Sequence, residues 1–284
     1  MWSFVRSSII VGSVLAWVVA ADLSFVATAH REGQEIDTSD LKFVPIPPQS
    51  HRKHDPASTP SKGSSRGKRN IVSFSGDWCG ASQHTTSSDQ FTNVFGYFTV
   101  PDLTLRPGAP APQYAAVWVG IDGASCQSTL LQAGVTTVIN SNGGQSASAW
   151  WEWFPEVAYS IDGLTVKPGD WISVNITASS LTAGTITINN VSRGYTLTIS
   201  VTNAPTLCRV DAEWIVENFY NGDAQVNFAR FSDVWFEETL ATTVSGKQIG
   251  IDGAAMVYLK DSNGSITCTA AQYDNTDFVV SSQG

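Results

Sequence analysis

The stretch "DAEWIVENF" (211–219) alternates two kinds of side chain. Asp211, Glu213, Ile215, Glu217 and Phe219 take the odd positions; Ala212, Trp214, Val216 and Asn218 take the even ones. Residues two apart share one face of a β-strand, and β-branched and aromatic residues favour that conformation. The stretch therefore predicts a strand with Glu213 and Glu217 on the same face. Carboxylates are depleted in strands. Two on one face, in a chain where only 14% of residues are charged, require a chemical reason.

The same pattern extends outward through most of the chain. Segments 91–101, 114–122, 128–138, 146–154, 170–178, 184–191, 194–201 and 231–243 are rich in Val, Ile, Thr, Trp and Tyr. Gly, Pro, Asn or Ser usually breaks them, as turn chemistry requires. No stretch keeps a 3.6-residue apolar stripe over several turns. The expected fold is all-β, an antiparallel sandwich or barrel. The segment "SFSGDWCGASQHTTSSDQ" (73–90) reads as a polar loop. Ile-Asp-Gly occurs three times at unequal spacing, which is turn chemistry and not a repeat.

The amino terminus differs from this body. Arg6 precedes an apolar run from Ile9 to Ala20 that is short for a membrane span. Val18 and Ala20 suit signal-peptidase cleavage, so residues 1–20 are expected to be a signal peptide and the product secreted and extracellular. Residues 21–69 carry "PIPPQS" and "DPASTPSKGSSRGKR", a flexible or conditionally ordered composition, and end in Lys68-Arg69. They are expected to be a propeptide, with 70–284 as one β-sandwich domain. Up to Arg69 there are 9 Lys+Arg and 6 Asp+Glu, a net +3. The chain totals of 16 and 25 leave 7 and 19 for the remainder, a net −12. A basic leader on an acidic body suggests electrostatic docking. The acidic body argues against nucleic acid or an anionic membrane as partner. A monomer is expected.

Cys79, Cys126, Cys208 and Cys268 all follow residue 69. An even count in a secreted chain points to two disulfides, with three connectivities open. A tie from Cys79 to Cys268 would leave Cys126 to Cys208. No Cys-x-x-Cys pair supports a zinc site, and neither a metal nor a cofactor is expected. Sequons stand at Asn175, Asn190 and Asn263.

Elimination narrows the chemistry. His84 is the only histidine after residue 69 and sits in the polar 73–90 segment, where a solvated surface role is the plain expectation. There is no Gly-x-Ser-x-Gly elbow, no His-Glu-x-x-His helix, no Asp-Thr-Gly and no phosphate-cradling glycine loop. Carboxylates, amides and tryptophans remain. Trp118 and Asp122 share one strand face, as do Leu130 and Gln132, and Trp150 and Glu152. If these faces coincide they line a polar, aromatic groove. Trp151, Trp153 and Trp214 are expected in the core.

The motifs "AAVWVGIDG", "CQSTLLQAGV", "WWEWFPE" and "LCRVDAEWIVENF" resemble, in order and spacing, the glutamic peptidases of family G1, the eqolisins. The resemblance spans about residues 75–245. It implies a concanavalin A-like sandwich of two antiparallel sheets, a secreted zymogen restrained by its own propeptide, an acidic optimum and insensitivity to pepstatin. It implies Gln132 and Glu217 as catalytic residues, and Trp118, Asp122, Trp150 and Glu152 as substrate-binding residues. It also matches Cys126 and Cys208 to a family disulfide. Departures are Ser148 where relatives carry Asp, Asn218 after the catalytic Glu, and Asp77 where Asn-Trp is usual. The implied substrate is polypeptide. A lectin-like module and a glycoside hydrolase using Glu152 and Glu217 are the alternatives.

Overall fold

The computed structural model describes residues 23–39, 41–48 and 70–284. The expected signal peptide, His51, His54 and the Lys68-Arg69 pair lie outside these residues. In chain order the strands are β1 Ser24–Arg31, β2 Gln34–Ile36, β3 Lys42–Ile46, β4 Ile71–Ser75, β5 Trp78–His84, β6 Phe91–Thr99, β7 Leu103–Thr104 and β8 Gln113–Ile121. There follow β9 Leu130–Ile139, β10 Gln145–Phe154, β11 Ala158–Val166, β12 Trp171–Ala178, β13 Gly184–Asn190, β14 Tyr195–Thr202 and β15 Asp211–Glu217. The last are β16 Tyr220–Asn221, β17 Ala224–Gln225, β18 Arg230–Phe231, β19 Val234–Thr243, β20 Gln248–Ile249, β21 Ala255–Lys260, β22 Ile266–Gln272 and β23 Phe278–Ser282.

Pairing arranges them in two layers. One runs β3-β11-β10-β9-β8-β15-β5-β21, and the other runs β2-β1-β14-β13-β12-β6-β19-β23. Strand β22 pairs with both β21 and β23 and links the layers. All these pairs are antiparallel; β4 pairs parallel to β21. This is the expected antiparallel β-sandwich. Ala212, Trp214 and Val216 of β15 point into the core between the layers, packed with residues such as Phe98, Ile172 and Ile186. Trp151 and Trp153 join them, as their alternation predicts.

The opposite face of the first layer carries a second cluster: Trp78, Ala116, Trp118, Leu130, Trp150, Ile215, Phe219 and Val257. Close strand approach here depends on glycine. A Cβ at Gly134 would lie 2.0 Å from the Val117 carbonyl oxygen and 2.7 Å from Trp118 Cβ, so only glycine lets β9 close on β8 beside Trp118.

One expectation is corrected. The supposed loop 73–90 contains β5, a central strand between β15 and β21. Its sequence, "WCGASQH", has no β-branched residue and small residues at its centre, so apart from Trp78 propensity conceals it. The reason is spatial: a Cβ at Gly80 would fall 2.1 Å from the Trp214 carbonyl oxygen. The described part of the leader, whose composition reads as flexible or conditionally ordered, lies ordered on the body: β1 pairs with β14 and β2, and β3 pairs with β11. Phe25 lies edge-on to Phe43 and to Trp151, with centroids 5.1 and 5.0 Å away, and so ties the two added strands to the core.

Both disulfides are formed, Cys79–Cys268 and Cys126–Cys208. Of the sequons, Asn263 is exposed in a turn. Asn190 is buried, and its amide donates to Asp170 and to the Thr165 carbonyl, so it presents no glycan acceptor in the folded state.

Candidate active site

Glu217 closes β15 on the face away from the core, opposite Trp78 of β5 and Ala116 of β8. It is fully buried. Two indoles hold it: Trp118 Nε1 donates to one carboxyl oxygen at 2.7 Å and Trp78 Nε1 to the other at 3.2 Å. The two rings meet edge to face, with centroids 4.9 Å apart. Burial pushes the Glu217 carboxyl well above the usual carboxylate range. The Asp77 charge adds to this, the two indole donors oppose it, and the Glu152 charge adds again. Desolvation outweighs two hydrogen bonds.

Gln132 lies on β9, two strands from Glu217, on the same face. It faces Gly120 of β8 whereas Glu217 faces Ala116, an offset of 120 − 116 = 4 residues along β8. Across the β9–β10 pair Gln132 faces Glu152, and its Nε2 donates to Glu152 Oε2 at 2.6 Å. Glu152 is thus the acceptor that strand register places against the Gln132 amide. All three side chains are fully buried. Glu152 thus meets Gln132 directly, and its charge acts on Glu217.

Trp118 and Trp150 sit beneath the groove as buried floor and not as exposed walls. Asp122 is placed differently from the groove position expected for it. It is fully buried, and its oxygens accept the backbone N–H groups of Cys208, Arg209 and Val210 at 2.8, 2.8 and 2.9 Å. Burial pushes its carboxyl up to about 6 against the pull of those donors. It organises the chain entering β15. Its neighbours Cys126 and Cys208 are joined in a disulfide, so this group offers no thiolates to a metal.

Glu213, one pair before Glu217 on the same face, is also fully buried. Burial, with the charges of Asp211 and Asp122, raises its carboxyl well above the ordinary value. Elimination had set His84 aside as a solvated residue. Its side chain is 60% exposed, yet Nδ1 lies 2.8 Å from the buried Asp211. Ser125 Oγ donates to the same Asp211 oxygen at 2.6 Å and lies 3.3 Å from the same His84 nitrogen. A nucleophilic triad needs the acid on Nδ1 and the serine on Nε2. Here both partners crowd Nδ1, so no proton relay runs from Ser125 through the ring. The pairing was hidden because β5 itself was hidden.

Two cavities flank the indole-held carboxyl. One, of about 240 Å³, is lined by Thr136, Ser148, Trp150 and Phe219, with Ile46 and Pro47 of the leader against it. The other, of about 480 Å³, lies beyond Trp78.

Residues 76–282 match the model of the Peptidase A4 family, and the chain belongs to that family. It is a glutamic peptidase, a hydrolase of peptide bonds, as its relatives are. The chain is 32% identical over 220 residues to Aspergillopepsin-2 of Aspergillus niger, covering 71% of this chain and 76% of that protein. It is 33% identical over 179 residues to Scytalidopepsin B of Scytalidium lignicola, covering 60% and 67%. Scytalido-glutamic peptidase, solved with a peptide-based transition-state analogue, superposes with TM-score 0.64 at 29% identity, covering 73% of this chain and 98% of that one. Aspergilloglutamic peptidase from Aspergillus niger superposes with TM-score 0.55 at 35% identity, covering 60% and 99%. Membership decides against the lectin and glycoside-hydrolase alternatives. Among the described residues, no helix is long and apolar enough to cross a membrane.

Proposed function

We propose that this chain is a secreted, pepstatin-insensitive acid endopeptidase in which Glu217 and Gln132 act on a water molecule and the scissile carbonyl. The observation that carries this reading is a fully buried carboxyl held by two indole N–H donors on the same sheet face as Gln132. Ionised Glu217 takes a proton from the attacking water and, once protonated, returns it to the leaving amine. Its raised value leaves only a fraction ionised in acid, but that fraction is the stronger base. A glutamine amide has two N–H donors. Glu152 accepts from this amide and so orients it; in the reaction the amide donates to the developing oxyanion, a contribution of about 2.7–4 kcal/mol in comparable sites. Trp118 and Trp150 form an apolar floor that excludes water.

The leader acts as the enzyme's own inhibitor in this reading. Strand β3 brings Ile46 and Pro47 to the cavity beside Trp150 and Phe219. Without Arg6 of the signal peptide, residues 21–69 carry 8 Lys+Arg and 6 Asp+Glu, a net +2 on a −12 body, which favours docking while the carboxylates are charged, and acid weakens it. Removal after Lys68-Arg69 then completes a zymogen activation. The deciding experiment digests a denatured protein at acid pH with pepstatin present, comparing the matured chain with Glu217→Gln. Cleavage by the wild type alone is expected. Equal cleavage by both would remove Glu217 from its role.

A further inference from the structure

The cavity beyond Trp78 is not used by the chemistry described above. Its position follows from strand register. Trp78, Ser82 and His84 of β5 stand opposite Glu217, Glu213 and Asp211 of β15, on the same face as the catalytic groups. Ala255 and Val257 of β21 extend this face across Ser82 and Gly80, and Ile71 and Ser73 of β4 extend it further. The cavity thus begins at the indole that holds Glu217 and runs away from it along β5. Its volume of about 480 Å³ is within the about 300–1,000 Å³ usual for ligand sites.

Its lining decides what fits. Ile71, Phe74, Trp78, Ala124, Ala255 and Val257 supply apolar walls. The far end carries Ser125, His84 and Asp211. Asp211 is nearly fully buried, and its carboxylate is already engaged by Ser125 Oγ, the backbone N–H groups of Ser125 and Cys126, and His84. It has little capacity left for a basic side chain. Glu213, opposite Ser82, stays neutral in acid because burial holds its proton. Ser73, Ser75, Ser82 and Gln83 also line it, with Ser75 bonded to Asp77 and Gln83 to the Gly250 carbonyl, so the cavity offers mainly apolar surface with largely compensated polar groups.

We infer that this cavity is a specificity pocket that takes a large aliphatic or aromatic side chain of the polypeptide substrate, on one side of the scissile bond. The inference rests on the peptidase reading. An extended chain advances about 3.3 Å per residue, so the residue seated there lies within a few positions of the bond cut opposite Trp78. Ala124 and Ala255, on separate segments of the wall, are the residues whose size sets the room available.

The test is a cleavage profile of the matured wild type, Ala255→Phe and Ala124→Phe on a mixed peptide library at acid pH, read by mass spectrometry. Thermal melts of each protein accompany it, and only variants that melt as folded proteins are compared. The wild type is expected to favour large apolar residues at one position near the cut. Each filled variant is expected to lose about 10- to 200-fold in kcat/KM for those peptides while keeping its rate on peptides with Gly or Ala at that position. Two folded variants with the wild-type profile would overturn the pocket assignment while leaving the peptidase reading intact. A uniform loss across all peptides would overturn it too, since filling would then have damaged catalysis without touching selection. A preference for Lys or Arg at that position would overturn the apolar assignment. A matured wild type that cleaves nothing would instead sink the peptidase reading on which the pocket depends.

Discussion

Gln132 donates its side-chain amide to Glu152, 2.6 Å away across the β9–β10 pair. In the proposed mechanism Glu152 acts through Gln132, as a positioning residue. Gln132→Ala is expected to lower kcat by about 10²–10³-fold, the loss typical of an oxyanion donor. Glu152→Ala should lose part of that, and the double variant should be no worse than Gln132→Ala, because the two lie on one path. Steady-state kinetics of the three variants check this. Additive losses would mean that Glu152 has an independent role.

The indole of Trp118 stabilises the charged form of Glu217. Removing a hydrogen bond to a carboxylate raises its pKa. Trp118→Phe is therefore expected to move the acid limb of the kcat/KM profile to higher pH, with a smaller effect at the top of the curve. A limb that stays in place would show that Glu217 does not set it.

Glu213 links stability to pH. Its unfolded value is near 4.5 and its folded value is well above that. The folded state thus holds a proton that the unfolded state releases. This stabilisation is fully present below about pH 4.5 and is lost as pH rises through the folded value. The protein should melt at lower temperature at neutral than at acid pH. Glu213→Gln, which mimics the protonated form, should narrow that gap. Melting curves from pH 3 to 8 give the comparison, and an unchanged gap would assign the loss to other groups.

Asp170 works in the opposite window. Burial pushes its carboxyl up, but hydrogen bonds from Arg193, Asn190 and the Lys167 backbone outweigh burial and leave it below its ordinary 3.8. Its contribution is present above about pH 3.8 and is lost as pH falls through the folded value. Arg193 meets it with two bonds, at 2.6 and 2.9 Å. Asp170→Asn should cost about 1–3 kcal/mol at pH 6, or several degrees in Tm, and the difference from wild type should shrink in strong acid. A constant difference would mean that packing and not charge is lost.

Gly134 tests how backbone contact supports the site. An added Cβ meets the Val117 carbonyl oxygen and Trp118 itself. Gly134→Ala is expected to destabilise by more than the about 1–3 kcal/mol of ordinary overpacking, because the obstruction is backbone. It should also lower activity in the folded fraction by shifting Trp118 and Gln132. Chemical denaturation with activity per folded molecule separates the two effects.

The chain's own alternation determined much of this protein. Period 2 in "DAEWIVENF" separated Trp214 from Glu217, and it separated Trp151 and Trp153 from Trp150 and Glu152. Those assignments need no partner strand, because a strand's two faces follow from backbone geometry. The motifs around Gln132 and Glu217 were legible for the same reason: their residues are close in sequence. Other features required the tertiary structure. β5 has almost no intrinsic strand signal and exists because Gly80 lets β15 pass within a Cβ's reach. Its placement put His84 beside Asp211 and opened the cavity beyond Trp78. The choice of Glu152 as partner for Gln132, and of two indoles for Glu217, was fixed by register between strands distant in sequence. The raised Glu217 was decided in the same way, since desolvation is a property of everything packed around a group, which no local stretch of sequence contains.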